Sequence, residues 1–537
     1  MSATCVPLYD SLGENAIEYI ISHAETMIAF VQTEKLPQLL KGVKKTQGVL
    51  KSIVFWGAGN DEAVAEIKAL GYKVLSFADL LEMGAASPRD PIPPKPTDLA
   101  TIMYTSGTTG DPKGVMLTHT AVITAVTNCA ELIRYHAISL GQSDALLSFL
   151  PLAHIFDRIF EEYFLYIGGS IGYWQGDVTK LLDDIAALRP AIFIGVPRVF
   201  DRIYSRIMGQ VNSSSIVKKS LFNLALWTKL YFMRTMGWKQ NQASPLFDAL
   251  VFSKVAARLG GRVKAVISGG APLSAHVEDF LRCAMCCPVV QGYGLTETGA
   301  ASFIAAFDVM GHASTVGPPC PCNEFRLESV PEMNYNALDP DEPKGEVLIR
   351  GPGTFTGYFK DAKQTVEVLE SDGWFHTGDI AVLTPEGAIR IFDRKKNIFK
   401  LSQGEYVAVE KVEGVYKKNL LVEQVWVYGS SFKSCLIAVV VPSEAGLMAW
   451  ASANGVGGTF SEVVATKEAR AHVLAELIAT GRAEKLKGFE IVRAVKLESS
   501  QFTVEDDLLT PTFKLKRPQL QRKFQAAIDE MYKELQE

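Results

Sequence analysis

The chain has 537 residues, 48% of them hydrophobic, 10% aromatic and 21% charged, a composition inside the globular range and far from that of disordered segments. At ~150 residues per domain this length predicts roughly three to four structural units and excludes a small stapled scaffold. Lys and Arg total 54 against 59 for Asp and Glu, a net charge of -5, so nothing draws the whole surface toward nucleic acid and any phosphate site must be local.

Eight cysteines spread along the chain, without a secretory-type apolar segment at the start, predict a reducing compartment. Cys283, Cys286 and Cys287 with Cys320 and Cys322 lack a standard zinc spacing. No apolar run reaches ~18 residues, so no spanning helix is expected.

In chain order, strands are predicted over 26–31, 52–56 and 73–77, and helices over 14–23 and 61–70, with Asn60 as the cap of the second. Five prolines between 88 and 96 predict a linker. Further strands are predicted over 191–195, 265–268, 289–291 and 346–350, an alternation that points to parallel sheets covered by helices. A strand-like stretch from 389 runs into Asp393, Arg394, Lys395, Lys396 and Asn397, and more strands follow over 424–428 and 436–441. A domain boundary is predicted at this polar junction, dividing 1–392 from 393–537.

Residues 202–247 hold seven Lys or Arg and no Asp or Glu. The predicted helix over 216–238 carries Leu221, Leu224, Trp227, Leu230, Tyr231 and Trp238 beside Lys218, Lys219, Lys229 and Arg234. Two readings stand: a basic amphipathic helix on an anionic membrane surface, or a helix packed on the core with its cations in water.

The strongest motif is Thr105, Ser106, Gly107, Thr108, Thr109 and Gly110, followed by Asp111, Pro112 and Lys113. Glycines let backbone N–H groups approach an anion, hydroxyls add donors or metal contacts, and Lys113 adds charge, which together make a phosphate cradle. It is not a Walker A loop, because Gly107 and Gly110 are too close and Pro112 interrupts before the lysine. Residues 168–172 match G-x-S-x-G around Ser170, but no helix follows the serine, so a hydrolase elbow is not predicted. His154 sits alone among apolar residues.

Gly270, Ala271 and Pro272 follow one predicted strand, and Gly292, Tyr293, Gly294, Thr296 and Glu297 follow another. In an open parallel sheet ligands bind beyond the carboxyl ends of strands, so the two loops outline a slot for a planar ligand, with Glu297 available to Mg²⁺. The segment over 372–379 ends in Asp379, read as an acid on a tight turn suited to ribose hydroxyls, with Arg394 completing that grip. Lys514 stands on a short loop before the last predicted helix.

In this order the strings resemble those of the AMP-forming acyl-adenylate synthetases, and the patterns over 150–158, 196–202 and 372–406 resemble the eukaryotic long-chain acyl-CoA synthetases. The resemblance covers essentially the whole chain from Val6. It implies an α/β fold: a large adenylate-forming domain of several subdomains built on parallel sheets, and a small mobile C-terminal α+β domain. It also implies the activation of a long-chain fatty acid with ATP, Mg²⁺ and coenzyme A. An adenylate-forming ligase for another carboxylic acid, and an inactive nucleotide-binding form, are the alternatives.

By the same resemblance, Thr105 to Lys113 hold the β and γ phosphates, with Ser106 and Glu297 toward the metal, while Thr296 and Glu297 meet Mg²⁺ and phosphate oxygens. Gly270, Ala271, Pro272, Gly292, Tyr293 and Gly294 border the adenine, Asp379 and Arg394 hold the ribose, and Lys396 matches a hinge. Lys514 corresponds to the catalytic lysine, and His154 is included with the catalytic set. Members of the family carry a substantial stretch before the point matching Val6, so a longer parent chain is expected. A cytosolic location, at the surface of a membrane such as the endoplasmic reticulum, is the implied setting.

Overall fold

The computed structural model describes residues 2–9, 14–43, 46, 48–105, 112–136, 138–510 and 513–536. The first layer is a parallel sheet of Ile28–Gln32, Ser52–Trp56 and Lys73–Ser76, covered by helices Leu36–Val43 and Asp61–Ala69. Apolar residues at helical spacing, such as Leu36, Leu40 and Val43, bury against Ile53 of the middle strand and Ile67 of the second helix. Asn60 stands at the expected N-cap position of the second helix but does not cap it with its side chain. It lies at φ 66° without a capping bond, and its amide instead donates to the Thr33 carbonyl at 3.1 Å. Residues 88–95 form neither helix nor strand, as their prolines predict.

Leu99–Thr105 and Lys113–Thr118 then pair as an antiparallel hairpin whose register sets Thr105 opposite Lys113. The central sheet has six strands in the order Phe303–Ile304, Val289–Tyr293, Ala265–Ser268, Ile192–Gly195, Ala145–Ser148 and Ser170–Tyr173. All its pairings are parallel except the first. Period-2 alternation gives it two buried faces. Ile192 and Ile194 pack toward helices His119–Tyr135 and Ile155–Tyr166. Phe193 between them faces helices Pro197–Asn212, Ile216–Met236 and Ala275–Ala284. This is the α/β architecture with parallel sheets that the strand–helix alternation predicts.

An antiparallel sheet of Glu324–Glu328, Lys344–Arg350, Phe375–Leu383 and Ile389–Arg394 follows. Asp393 and Arg394 end its last strand, and the chain turns at 395–397 into the Ile398–Lys400 and Tyr406–Ala408 pair. Asp393 is not part of a solvated polar junction. It is 1% exposed and accepts the amides of Arg394 at 2.7 Å and Glu410 at 3.0 Å, bonding to both sides of the turn. The remaining residues form a sheet of Val422–Tyr428, Leu436–Pro442 and Val492–Leu497 with helices packed on it.

The 202–247 segment divides differently from either simple reading. Within helix Ile216–Met236, Phe222, Ala225 and Met233 are buried, whereas Ile216, Val217 and Trp227 are 84%, 77% and 63% exposed. Lys229 is not a solvated cation: it is fully buried, 2.6 Å from the Asp248 carboxylate. Arg234 pairs with Asp279.

Candidate active site

The carboxyl ends of the central strands open into a cavity of about 2960 Å³. Every described residue expected at the site lines it: Thr105, Lys113, His154, Gly270, Ala271, Pro272, Gly292, Tyr293, Gly294, Thr296, Glu297, Asp379, Arg394, Lys396 and Lys514. Ser106, Gly107, Thr108, Thr109 and Gly110 lie outside the described residues.

Asp379 is set inside the Phe375–Leu383 strand rather than on the tight turn expected, directly after Gly378 at φ 70°. It pairs across the sheet with Arg394, whose Nε lies 3.3 Å from Oδ1. The Tyr293 hydroxyl donates to Oδ2 at 2.6 Å. Burial pushes the Asp379 carboxyl up, while Arg394 and the phenol pull it back down. The Arg394 guanidinium is held above its usual range, first by Asp379. A buried carboxylate gripped from two sides is a fixed acceptor, the geometry required for a pair of vicinal hydroxyls.

Glu297 follows the Val289–Tyr293 strand on a short 3₁₀ turn, Thr296–Thr298, and is 9% exposed. The Tyr358 hydroxyl donates to its Oε1 at 2.9 Å, and the Lys113 ammonium lies 5.1 Å from the centre of the same ring. Tyr358 thereby joins the hairpin that carries the phosphate-loop string to the acid. No sequence pattern marks it.

The loops at the two strand ends are fastened from beneath. Gln291 accepts the Leu273 amide at 2.7 Å and donates to Glu278 at 2.8 Å. Glu278 in turn pairs with Arg282 at 2.8 Å, both 2% exposed. Gly270 requires its φ of 83°, and a Cβ on Gly294 would stand 1.7 Å from the Ala300 carbonyl oxygen. This buried trio was not legible as a site feature, because nothing in the order Glu278, Arg282, Gln291 distinguishes it from ordinary helix and strand polarity.

Lys514 reaches the cavity from the C-terminal part of the chain. Its amide donates to Thr510 Oγ1 at 3.0 Å, and its carbonyl accepts the Thr510 amide at 2.8 Å. Burial first, then Arg394, pushes its ammonium down to about 8, against the opposing pull of Glu410, Asp379 and Glu297. His154 caps the Ile155–Tyr166 helix, its Nδ1 accepting the Phe156 amide at 3.2 Å. Burial, then Lys514, lowers it to about 4. It is therefore neutral near pH 7, with its proton on Nε2. Lys396 is exposed on the 395–397 turn at the cavity edge.

The wall of the same cavity includes Cys129, Ile155, Phe156, Ile159, Phe160 and Ala301, all apolar and in or against the core between the central sheet and its helices. The cavity thus combines a hydroxyl acceptor, convergent cations, an acid and an apolar stretch of wall.

Residues 1–359 match the AMP-binding enzyme family. Long chain acyl-CoA synthetase 4 of Arabidopsis thaliana is 47% identical over 529 residues, spanning 98% of this chain and 79% of that protein. Long chain acyl-CoA synthetase 5 of the same plant is 47% identical over 533 residues, 99% of this chain and 80% of that protein. The adenylation domain of a Mycobacterium chelonae carboxylate reductase superposes with a TM-score of 0.80 at 26% identity, over 98% of this chain and 76% of that one. The corresponding domain from Segniliparus rugosus, solved with AMP and a co-purified carboxylic acid, gives 0.79 at 26% identity, over 99% and 79%. The chain belongs to the AMP-binding enzymes and, among them, to the long chain acyl-CoA synthetases.

Proposed function

We propose that this protein activates long-chain fatty acids, converting fatty acid, ATP and coenzyme A to acyl-CoA, AMP and pyrophosphate through an acyl-AMP intermediate. The observation that carries the reading is the convergence of Lys514 with the Asp379–Arg394 pair and Glu297 in one cavity whose wall also carries an apolar stretch. A carboxylate oxygen forms a bond to the α-phosphorus, and the bond from that phosphorus to the bridging oxygen breaks as pyrophosphate leaves. The thiol of coenzyme A then displaces AMP. Both steps need charge stabilisation rather than a nucleophilic side chain.

In this reading Asp379 and Arg394 hold the ribose, Gly270 to Pro272 and Gly292 to Gly294 border the adenine, and Thr105 and Lys113 stand at the β and γ phosphates. The neutral His154 presents Nε2–H as a donor. Lys514 bridges the attacking carboxylate and the α-phosphate. Glu297 suits Mg²⁺, since the acid is oriented by Tyr358, whose ring also meets Lys113, and Ser106 is the second ligand the family resemblance implies; bound there, the ion would neutralise charge on the leaving pyrophosphate. The part beyond the 395–397 turn moves as a unit between the two half-reactions, withdrawing Lys514 for the second.

The test is palmitate-dependent pyrophosphate release by the purified chain, with cinnamate as the competing acid. Lys514→Ala is expected to reduce adenylation at least ~100-fold, the scale of losing a charge-stabilising group, while thioester formation from supplied palmitoyl-AMP persists. Equal loss in both halves removes Lys514 from its role, and turnover of cinnamate but not palmitate replaces the substrate class.

The exposed face of helix Ile216–Met236 supports peripheral contact with the cytosolic surface of a membrane, where the fatty acid dissolves. Trp227, Leu224 and Leu221 stand out of the core there beside the exposed Lys218 and Lys219. Trp227→Ser with Lys218→Glu and Lys219→Glu should weaken binding to anionic liposomes, and unchanged binding removes the idea.

A further inference from the structure

Arg198 and Phe513 come from distant parts of the chain and meet at the cavity wall. Arg198 stands in the first turn of helix Pro197–Asn212, just beyond the carboxyl end of the Ile192–Gly195 strand. Phe513 immediately precedes Lys514. The guanidinium carbon lies 4.9 Å from the centre of the phenyl ring, within the range of a cation–π contact.

Two observations make this more than a chance approach. Phe513 holds φ at 62°, a left-handed conformation that disfavours any residue with a Cβ. Glycine would adopt it without strain, so a phenylalanine there needs a compensating contact. Its ring is 41% exposed, and Arg198 covers one face of it. Arg198, for its part, has no carboxylate within ion-pair distance among the described residues. Burial, and then Arg202, lowers its guanidinium to about 10, with Glu423 and Asp201 attracting it from further away. A partly desolvated guanidinium without a carboxylate partner is the form in which a ring face attracts most strongly.

Phe513 and Lys514 share a backbone anchor. The Phe513 amide donates to the Thr510 carbonyl at 2.7 Å, and the Lys514 amide to Thr510 Oγ1 at 3.0 Å. Both residues are thereby tied to Thr510, so holding Phe513 in place constrains the origin of the Lys514 side chain.

We propose that Arg198 and Phe513 form a latch that seats the Lys514 loop in the cavity for the adenylation step, making both positioning residues of that half-reaction. The proposal rests on the adenylate-forming reading above. A cation–π contact is weaker than a buried ion pair, which suits a contact that has to open in every turnover.

The experiment separates the half-reactions in Arg198→Ala, Arg198→Lys, Phe513→Leu and the Arg198→Ala/Phe513→Leu double variant. Palmitate-dependent ATP–pyrophosphate exchange reads the first half, and palmitoyl-CoA formation from supplied palmitoyl-AMP reads the second. The single losses are expected to lower the exchange kcat by roughly 5- to 30-fold, the scale of one desolvated cation–π contact. The KM for ATP and the second half should stay within about twofold. The double variant should be no slower than the worse single one, and Arg198→Lys, which keeps the charge but not the planar group, should fall between the wild type and Arg198→Ala. Equal losses in both halves, or additive losses in the double variant, overturn the latch.

Amide hydrogen exchange over 508–516 in the nucleotide-free protein provides a readout that does not depend on activity. Arg198→Ala should speed exchange there, and unchanged exchange refutes the latch. If the wild-type chain shows no palmitate-dependent pyrophosphate exchange, the functional reading fails and hydrogen exchange alone decides the latch.

Discussion

Tyr293→Phe removes one oxygen and tests how the ribose acceptor is built. Asp379 is 4% exposed, so its ionised form depends on its partners, Arg394 at 3.3 Å and the phenol at 2.6 Å. A hydrogen bond to a charged group contributes ~1.5–3 kcal/mol, or roughly 10- to 150-fold in an equilibrium constant. A carboxylate has about four acceptor positions, so the phenol and two ribose hydroxyls can share Asp379 without displacing one another. The phenol is therefore expected to hold the carboxylate ionised and oriented before the nucleotide arrives. Its loss should raise the KM for ATP about 10-fold or more in pyrophosphate exchange, with kcat within about twofold, because the contact is made equally in ground and transition states. If the phenol instead occupied the position that a ribose hydroxyl takes, Tyr293→Phe would lower the KM for ATP. That result, or no change, refutes the arrangement.

Lys514 must be an ammonium to bridge two anions, and its value near 8 lies below that of an ordinary lysine. The kcat/KM for ATP in the exchange reaction should therefore fall as pH rises through about 8, and Lys514→Arg, whose guanidinium stays charged, should remove that limb whatever its absolute rate. ATP brings negative charge to the same place and raises the lysine, so binding near pH 8–9 should take up protons, measurable as buffer-dependent calorimetric heats. Gly294→Ala would put a Cβ 1.7 Å from the Ala300 oxygen, and the loop between Tyr293 and Glu297 would have to shift. A destabilisation of about 1–3 kcal/mol in urea unfolding and a raised KM for ATP are expected. Gly292→Ala, whose nearest contact would be 3.5 Å, is the control that should be tolerated.

What the sequence made legible was chemistry carried by neighbours in the chain. The loops after the Ala265–Ser268 and Val289–Tyr293 strands, and the Thr105 and Lys113 ends of the phosphate-loop string, could be placed because strand, glycine and hydroxyl stand side by side. The Tyr293–Asp379 bond spans 86 residues and the Tyr358–Glu297 bond 61, and neither has a local signature. Lys229 shows the same limit in reverse. As a lysine on a helix of mixed composition it reads as solvated, yet Asp248, on an element 19 residues further along, draws it fully into the core. Asn60 was a sound cap by residue type, but at φ 66° its side-chain oxygen makes no capping bond, while its amide nitrogen donates to the Thr33 carbonyl, 27 residues away. Residue type specifies which bonds a side chain can make; the long-range packing decides which one it makes.

The electrostatics of the cavity also bear on why Lys514 should leave it. Arg394 acts in two directions: it stabilises the charge on Asp379 and pushes the Lys514 ammonium down. Lys514 is a half-buried cation beside another cation, attracted by Asp379, Glu297 and Glu410, with its ammonium pushed down to about 8. The polyphosphate reverses that balance and draws the lysine in. Once pyrophosphate has departed, most of the added negative charge has gone with it, and the desolvation cost returns. On the latch proposed above, withdrawal of the loop is then opposed by the Arg198–Phe513 contact and the lone phosphate of the adenylate. In the proposed mechanism the lysine is thus held most tightly only while the charge of the first half-reaction is in place, and release of the first product is the expected trigger for its withdrawal.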